Sequence, residues 1–266
     1  MNIEIVCFLS GFHLGVVDRL LLVRIAFLSS VLILVCSRYY GLFFPITEPL
    51  FRSRPDEFSL PRLSWMGRSY VLARASLVVA CLLALFGLGG PLLLVLIVML
   101  FAALDFYTAN FTPKIWPNLF HLHVFGTLCV LGELAPVFSP ASPISFSCTT
   151  ILLMRWQVGL IYFFAGVVKV IHGGIDWALK AKSLHFVVLT NGTRLGRFLL
   201  SDFRSRRAAS IGALILELFL PFLLFFPSLY PLFAFLALSF HFATYGMFGI
   251  SFWHLWVFFP ALFLLP

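Results

Sequence analysis

Apolar runs long enough to cross a bilayer recur along almost the whole chain, and this feature constrains the fold more than any other. In hydrocarbon every backbone N–H and C=O must find an internal partner, and runs of this length satisfy that demand as helices. With 62% hydrophobic residues and only 11% charged, the chain lies well outside the composition of a soluble domain. The expected fold class is therefore all-α, a polytopic integral membrane bundle of about eight transmembrane helices, with seven as the alternative count. Nearly every segment is a span or a short connection, so residues 1–266 read as one transmembrane domain without a separate extramembrane substrate domain.

Residues 1–18 are mixed in character and suit an interfacial helix. The first span is expected over Leu20–Cys36, and a polar, proline-bearing loop with Trp65 as interface anchor follows it. The run 76–104 is broken by Gly87–Pro91 and predicts a hairpin of two short spans. A fourth span is expected over 119–137 and a fifth over 150–170. Three more follow Ala209, split by Pro227 and by Gly246–Gly249. No cleavable signal peptide is evident in the first 18 residues, which lack a basic start and a small-residue cleavage site.

The net charge of +8 does not form a basic face of the kind that binds nucleic acid, and no nucleic-acid partner is expected. With eight spans, the loops 37–71, 105–118 and 171–209 fall on one side and hold most of the 18 Lys and Arg residues. By the positive-inside rule these loops are cytoplasmic. Both N-x-T sequons, Asn110 to Thr112 and Asn191 to Thr193, then face the cytoplasm and stay unglycosylated. The five cysteines show neither paired nor metal-ligand spacing and read as packing residues, so no metal is expected.

Ionisable groups inside such spans are costly and call for a reason. The stretch Arg155–Trp177 concentrates them: Arg155 and Gln157, then Tyr162, Gly166, Lys169, Asp176 and Trp177. Counting residues along the spans brings Lys169, His121 and His241 to similar depth, with Glu217 slightly deeper. Glu133, Arg155 and Arg24 share a level near the opposite side, and Arg155 with Glu133 reads most simply as a structural ion pair. Lys169 alone could snorkel to the interface. Beside two histidines it also suits a general base, since a neutral amine in a dry pocket can take a proton. His123 and His254 read as hydrogen-bonded packing residues.

At these residues the sequence resembles the HTTM (horizontally transferred transmembrane) domain family and the related membrane domain of the vitamin K-dependent gamma-carboxylases. The shared pattern is R-x-Q, then Y-F-x-A-G-x-x-K, then D-W, matched here by Arg155, Gln157, Tyr162, Phe163, Ala165, Gly166, Lys169, Asp176 and Trp177. The stretch led by His121 and the F-H segment at Phe240–His241 are similar to two further family blocks, and Glu217 falls where relatives carry an acid. The resemblance implies a reduced naphthoquinone cofactor, with oxygen and carbon dioxide as co-substrates. It implies Lys169 as the initiating base, with His121 and His241 assisting. Tyr162, Gly166, Asp176, Trp177 and Glu217 would line the cofactor site, and Arg155, Gln157 and Glu133 would be structural polar residues.

Three departures temper this. The loop between Lys169 and Trp177 is longer than in the carboxylases, Val168 replaces a lysine, and the chain stops at Pro266 without their large extramembrane domain. The carboxylase site also opens to the lumen, whereas the charge bias places this cluster toward the cytoplasm. The sequence thus supports two functions. One is oxygen-dependent, hydroquinone-driven base chemistry (carboxylation or epoxidation) on a peptide or small substrate. The other is a non-catalytic membrane subunit or maturation partner of another protein. A transporter is disfavoured, because no inverted repeat is apparent.

Overall fold

A computed structural model describes residues 15–37, 60–111, 119–138, 140 and 143–264. The expected interfacial segment 1–18 falls almost wholly outside these residues, as do Arg38, Arg52, Arg54, Thr112, Lys114, Trp116 and the side chains of Trp65 and Asn110. The described residues are all-helical. In chain order they form α1 (Val16–Cys36), α2 (Leu60–Leu85), α3 (Gly90–Phe111), α4 (Phe120–Glu133), the single turn α5 (Ala135–Phe138) and the long α6 (Pro143–Gly173). Three short helices follow, α7 (Asp176–Lys180), α8 (Lys182–Asn191) and α9 (Arg194–Leu199). Next come α10 (Phe203–Phe219), continued as a 3₁₀ segment to Phe225, then α11 (Tyr230–Phe248) and α12 (Trp253–Trp256), with a π-helical end over Pro260–Leu264.

Among the described residues, four helical stretches are long and apolar enough to cross a membrane: Asp18–Cys36, Pro143–Gly173, Phe203–Phe225 and Pro227–Phe248. The other expected spans coincide with shorter helical segments, Ser69–Leu85, Gly90–Phe106, α4 and Trp253–Leu264. The loop expected over 171–209 is instead largely helical, in α7, α8, α9 and the start of α10. The expected hairpin at Gly87–Pro91 is present, between α2 and α3.

The contacts group into two compact units, Val17–Thr150 and a second from Ile151 onward. In the first, core residues recur at three- and four-residue spacing, as Val23, Phe27 and Val31 do on α1 and Leu94, Ile97, Phe101 and Leu104 on α3. Two arginines tie α1 and α2 antiparallel. Arg74 Nε donates to Val35 O at 2.8 Å, and Arg24 Nη2 donates to Ala84 O at 3.1 Å. Each supplies a donor to a last-turn carbonyl of the other helix; the Ala84 carbonyl also accepts from Gly87 N–H at 3.1 Å.

The second unit has an aromatic core, in which Phe233 meets Phe263 at 4.7 Å between ring centroids and Phe258 and Phe259 are fully buried. Pro143 can begin α6 without losing a helical bond, since its missing N–H would be unpaired there anyway. Gly174, at φ +60°, ends it by turning its N–H back to Val170 O at 2.8 Å. Thr193 links α9 to α11. Its hydroxyl donates to Gly246 O at 2.6 Å and accepts from Gly196 N–H at 3.0 Å, while its own N–H reaches Met247 O at 3.0 Å.

Candidate functional site

Helix α6 runs for 31 residues, roughly 46 Å at helical rise. Arg155, Gly159, Tyr162, Gly166, Lys169 and Gly173 recur along it at alternating spacings of four and three, the spacing that keeps side chains on one stripe. The glycines admit close neighbours. A Cβ at Gly166 would stand 2.9 Å from the Leu218 side chain and 3.2 Å from Glu217 Cβ. That approach brings α10 against α6 at the level of Lys169, and small residues permit it where a larger side chain would hold the helices apart.

Lys169 makes an ion pair with Glu217, its Nζ against both carboxylate oxygens. The ammonium also lies 5.1 Å from the centroid of the Trp177 ring, within cation–π range. Glu217 is the more enclosed partner, with 6% of its side chain exposed against 27% for Lys169. Two turns back along α6, buried Tyr162 bonds through its hydroxyl to His241 Nε2 at 2.6 Å. The Phe252 ring stands 5.2 Å from that imidazole, and Phe233 and Phe240 surround the tyrosine. His241 Nδ1 is buried and has no hydrogen-bond partner among the described residues.

The residues singled out from the sequence therefore separate into distinct settings. Lys169, Glu217 and Trp177 come together, and Gly166 is the contact that allows it. His241 is engaged by Tyr162 rather than by Lys169, and the two groups occupy levels roughly 10 Å apart along α6. His121 belongs to the first unit, buried in α4 with its ring edge-on to Phe125. Asp176 is exposed and pairs with Lys180 one turn along α7, away from Lys169. Gln157 is half-buried on α6.

The ion pair assigned to Arg155 and Glu133 is replaced by a different one. Glu133 is taken by Arg24, at 2.6 Å. Arg155 is fully buried in the second unit, where its Nε donates to Leu262 O at 2.6 Å and its guanidinium lies 4.3 Å over the Tyr230 ring. Counting residues along spans gives depth but not azimuth, so it could not choose between two arginines at one level. His123 bonds to Asp105 at 2.8 Å, the hydrogen-bonded setting expected of it.

The Tyr162–His241 bond escaped the sequence reading, although its signal was present. Tyr162 shares the three-and-four stripe with Lys169, and a buried tyrosine hydroxyl ordinarily requires a polar partner. Taken together, the second unit places four protonatable side chains from α6, α10 and α11 in apolar surroundings, arranged as two hydrogen-bonded couples. Such couples can hold, pass or share a proton.

Neither the curated proteins nor the solved structures contain a match to this chain. The family model described as HTTM domain matches residues 142–265, which include the whole stripe on α6 and its partners on α10 and α11 but not His121. Over that region, just under half of the chain, the protein is similar to the HTTM domain family, and its long apolar helices mark it as an integral membrane protein.

Proposed function

We propose that this protein is a membrane enzyme of carboxylase-related type in which the Lys169–Glu217 pair handles a proton during quinol-dependent base chemistry. One observation carries the reading: a lysine and a glutamate are kept bonded on facing helices, in a setting where each charge is expensive. An ammonium must lose its proton before the amine can act as a base. Glu217 is in place to receive it. The Trp177 ring lies beside the amine, within cation–π range.

The cofactor implied by the resemblance is a reduced naphthoquinone, and one feature of the second unit fits it. His241 presents a buried Nδ1, unmatched among the described residues, beside aromatic rings, a suitable partner for an oxygen on a flat apolar ring. If Tyr162 donates to Nε2, the remaining proton of a neutral imidazole sits on Nδ1 and makes that atom the donor. A bound quinol would supply, with oxygen, the strong base that glutamate carboxylation requires, carbon dioxide being the co-substrate. In this reading His241 holds the cofactor oxygen, Tyr162 fixes the imidazole, and Lys169 with Glu217 moves the proton. The resemblance also nominates His121 for this work, and Gly166 and Asp176 for lining the site.

We extend the same proposal to topology. The shorter apolar helices also cross the membrane, giving eight spans, and the basic loops face the cytoplasm. The test is epoxide formation from reduced naphthoquinone under oxygen by the purified protein. Wild type should produce epoxide, and Lys169→Ala should lower the rate by at least about 100-fold, the usual minimum share of a general base. An inactive wild type that retains no quinone would overturn the reading.

The direct bonding of Lys169 to Glu217 favours a second reading, because a lysine–glutamate couple between two helices is also a good interhelical brace. The chain would then be a non-catalytic membrane subunit or assembly partner of another protein. A stoichiometric partner that co-purifies and survives Lys169→Ala would support that alternative.

A further inference from the structure

The first unit, Val17–Thr150, holds a cavity of about 360 Å³ that plays no part in the site on α6. One wall is the Arg24–Glu133 ion pair, with Arg24 14% and Glu133 34% exposed in their side chains. The rest is mainly apolar or small, including Leu20, Leu21, Gly132, Pro136 and Ile144.

Its depth follows from the helices that meet there. Glu133 is the last residue of α4, Ala84 O (held by Arg24) lies in the last turn of α2, and Pro143 opens α6. Under the proposed eight-span topology, three helix termini at one place mark the end of the membrane bundle, the level where lipid headgroups lie.

The wall has both charges and no net charge. A simple anion or cation is attracted by one residue and repelled by the other, so it gains little. A ligand carrying both charges, set antiparallel to the pair, gains from each. The volume has room for a headgroup. Leu21 and Ile144 on the rim are 49% and 58% exposed and offer acyl chains a way out along apolar surface.

We propose that this cavity binds the headgroup of a zwitterionic phospholipid with a primary ammonium, its phosphate on Arg24 and its ammonium on Glu133. The bonds to Glu133 and Ala84 use only part of the guanidinium's donor capacity, and the fork geometry of arginine suits phosphate oxygens. A primary ammonium has three N–H donors for the second carboxylate oxygen, whereas a quaternary ammonium has none.

The test is native mass spectrometry of the delipidated full chain, offered equal amounts of phosphatidylethanolamine, phosphatidylcholine and phosphatidylglycerol with identical acyl chains. One phosphatidylethanolamine should be retained at least tenfold over each of the others. Glu133→Gln should erase its advantage over phosphatidylcholine. Ile144→Trp touches neither charge and narrows the mouth, so it should abolish retention while circular dichroism shows the fold intact. Equal retention of the three lipids, preference for phosphatidylglycerol, or a preference that survives both substitutions would overturn the proposal.

Discussion

Breaking the Lys169–Glu217 pair from either side should cost different amounts, and the difference can be worked from the burial of the two partners. Lys169→Met leaves a carboxylate whose side chain is 6% exposed, among apolar neighbours and without its cation. Removing one partner of a buried pair costs about 3–5 kcal/mol in soluble cores. Interhelical polar contacts in membranes are worth less, about 0.6 kcal/mol on average and at most about 1.7, because the unfolded chain also finds partners in lipid. A loss of about 2–3 kcal/mol is therefore expected for Lys169→Met. Glu217→Gln should lose only about 1 kcal/mol, since Lys169 keeps 27% exposure and the Trp177 ring, and the amide can still accept a hydrogen bond.

The double variant Lys169→Met with Glu217→Gln removes both charges and should be more stable than Lys169→Met alone. The cycle would then give a coupling energy of about 1–2 kcal/mol. The assay is reversible unfolding in mixed micelles with increasing denaturing detergent, followed by circular dichroism. Tryptophan emission provides a second probe, because Trp177 lies against Lys169. Two single losses of equal size that simply add would refute the argument, since they would mean that the partners do not sense each other.

Three further outcomes follow from the same geometry. Gly166→Val places a side chain where Leu218 and Glu217 already pack, and should cost about 1–3 kcal/mol in the same unfolding assay while weakening the Lys169–Glu217 coupling. Tyr162→Phe removes the bond to His241 and leaves Nε2 buried without a partner, a loss of about 1–3 kcal/mol measurable by the same method. Under the enzymatic reading it should also shift the pH profile of epoxidation, whereas a purely structural role would lower stability alone. Asp202 caps α10 by accepting from Ser205 N–H at 2.9 Å, and this bond, with further help from the Ser205 side chain, holds its carboxyl below the usual carboxylate range. A depressed pKa contributes stability that is present above the unfolded value and lost as pH falls through the folded one. The protection of amides at the start of α10, measured as exchange relative to the intrinsic rate at each pH, should accordingly fall on acidification, and Asp202→Asn should remove that pH dependence while keeping the cap.

Much of the helical layout was legible because hydrophobicity along the chain is a one-dimensional signal. Each expected span has a helical counterpart, and the hairpin at Gly87–Pro91 lies where glycine and proline placed it. The helices α7, α8 and α9 were not anticipated, since that stretch is too polar and too interrupted to read as span and was taken for loop. At the site, the sequence isolated Lys169, Glu217, Tyr162 and His241 as individually unusual residues. It grouped Lys169 with His241 on depth alone, and it gave Glu133 to Arg155 where the structure gives it to Arg24. Depth follows from counting at a fixed rise per residue, whereas partnership depends on the rotation of each helix and on how closely two helices approach.

By itself, then, the sequence determined that this chain is a helical membrane protein, and that its costly polar groups concentrate around Arg155–Trp177. Those properties follow from the cost of burying unpaired polar groups in hydrocarbon, which each segment meets on its own. The tertiary structure alone decided who pairs with whom. Gly166 lets α10 close on α6 so that Glu217 meets Lys169, and α11 turns His241 toward Tyr162. Arg24 draws together the ends of α2 and α4 beside a cavity that no local pattern announces. These choices rest on contacts between residues far apart in sequence, and only packing can set them.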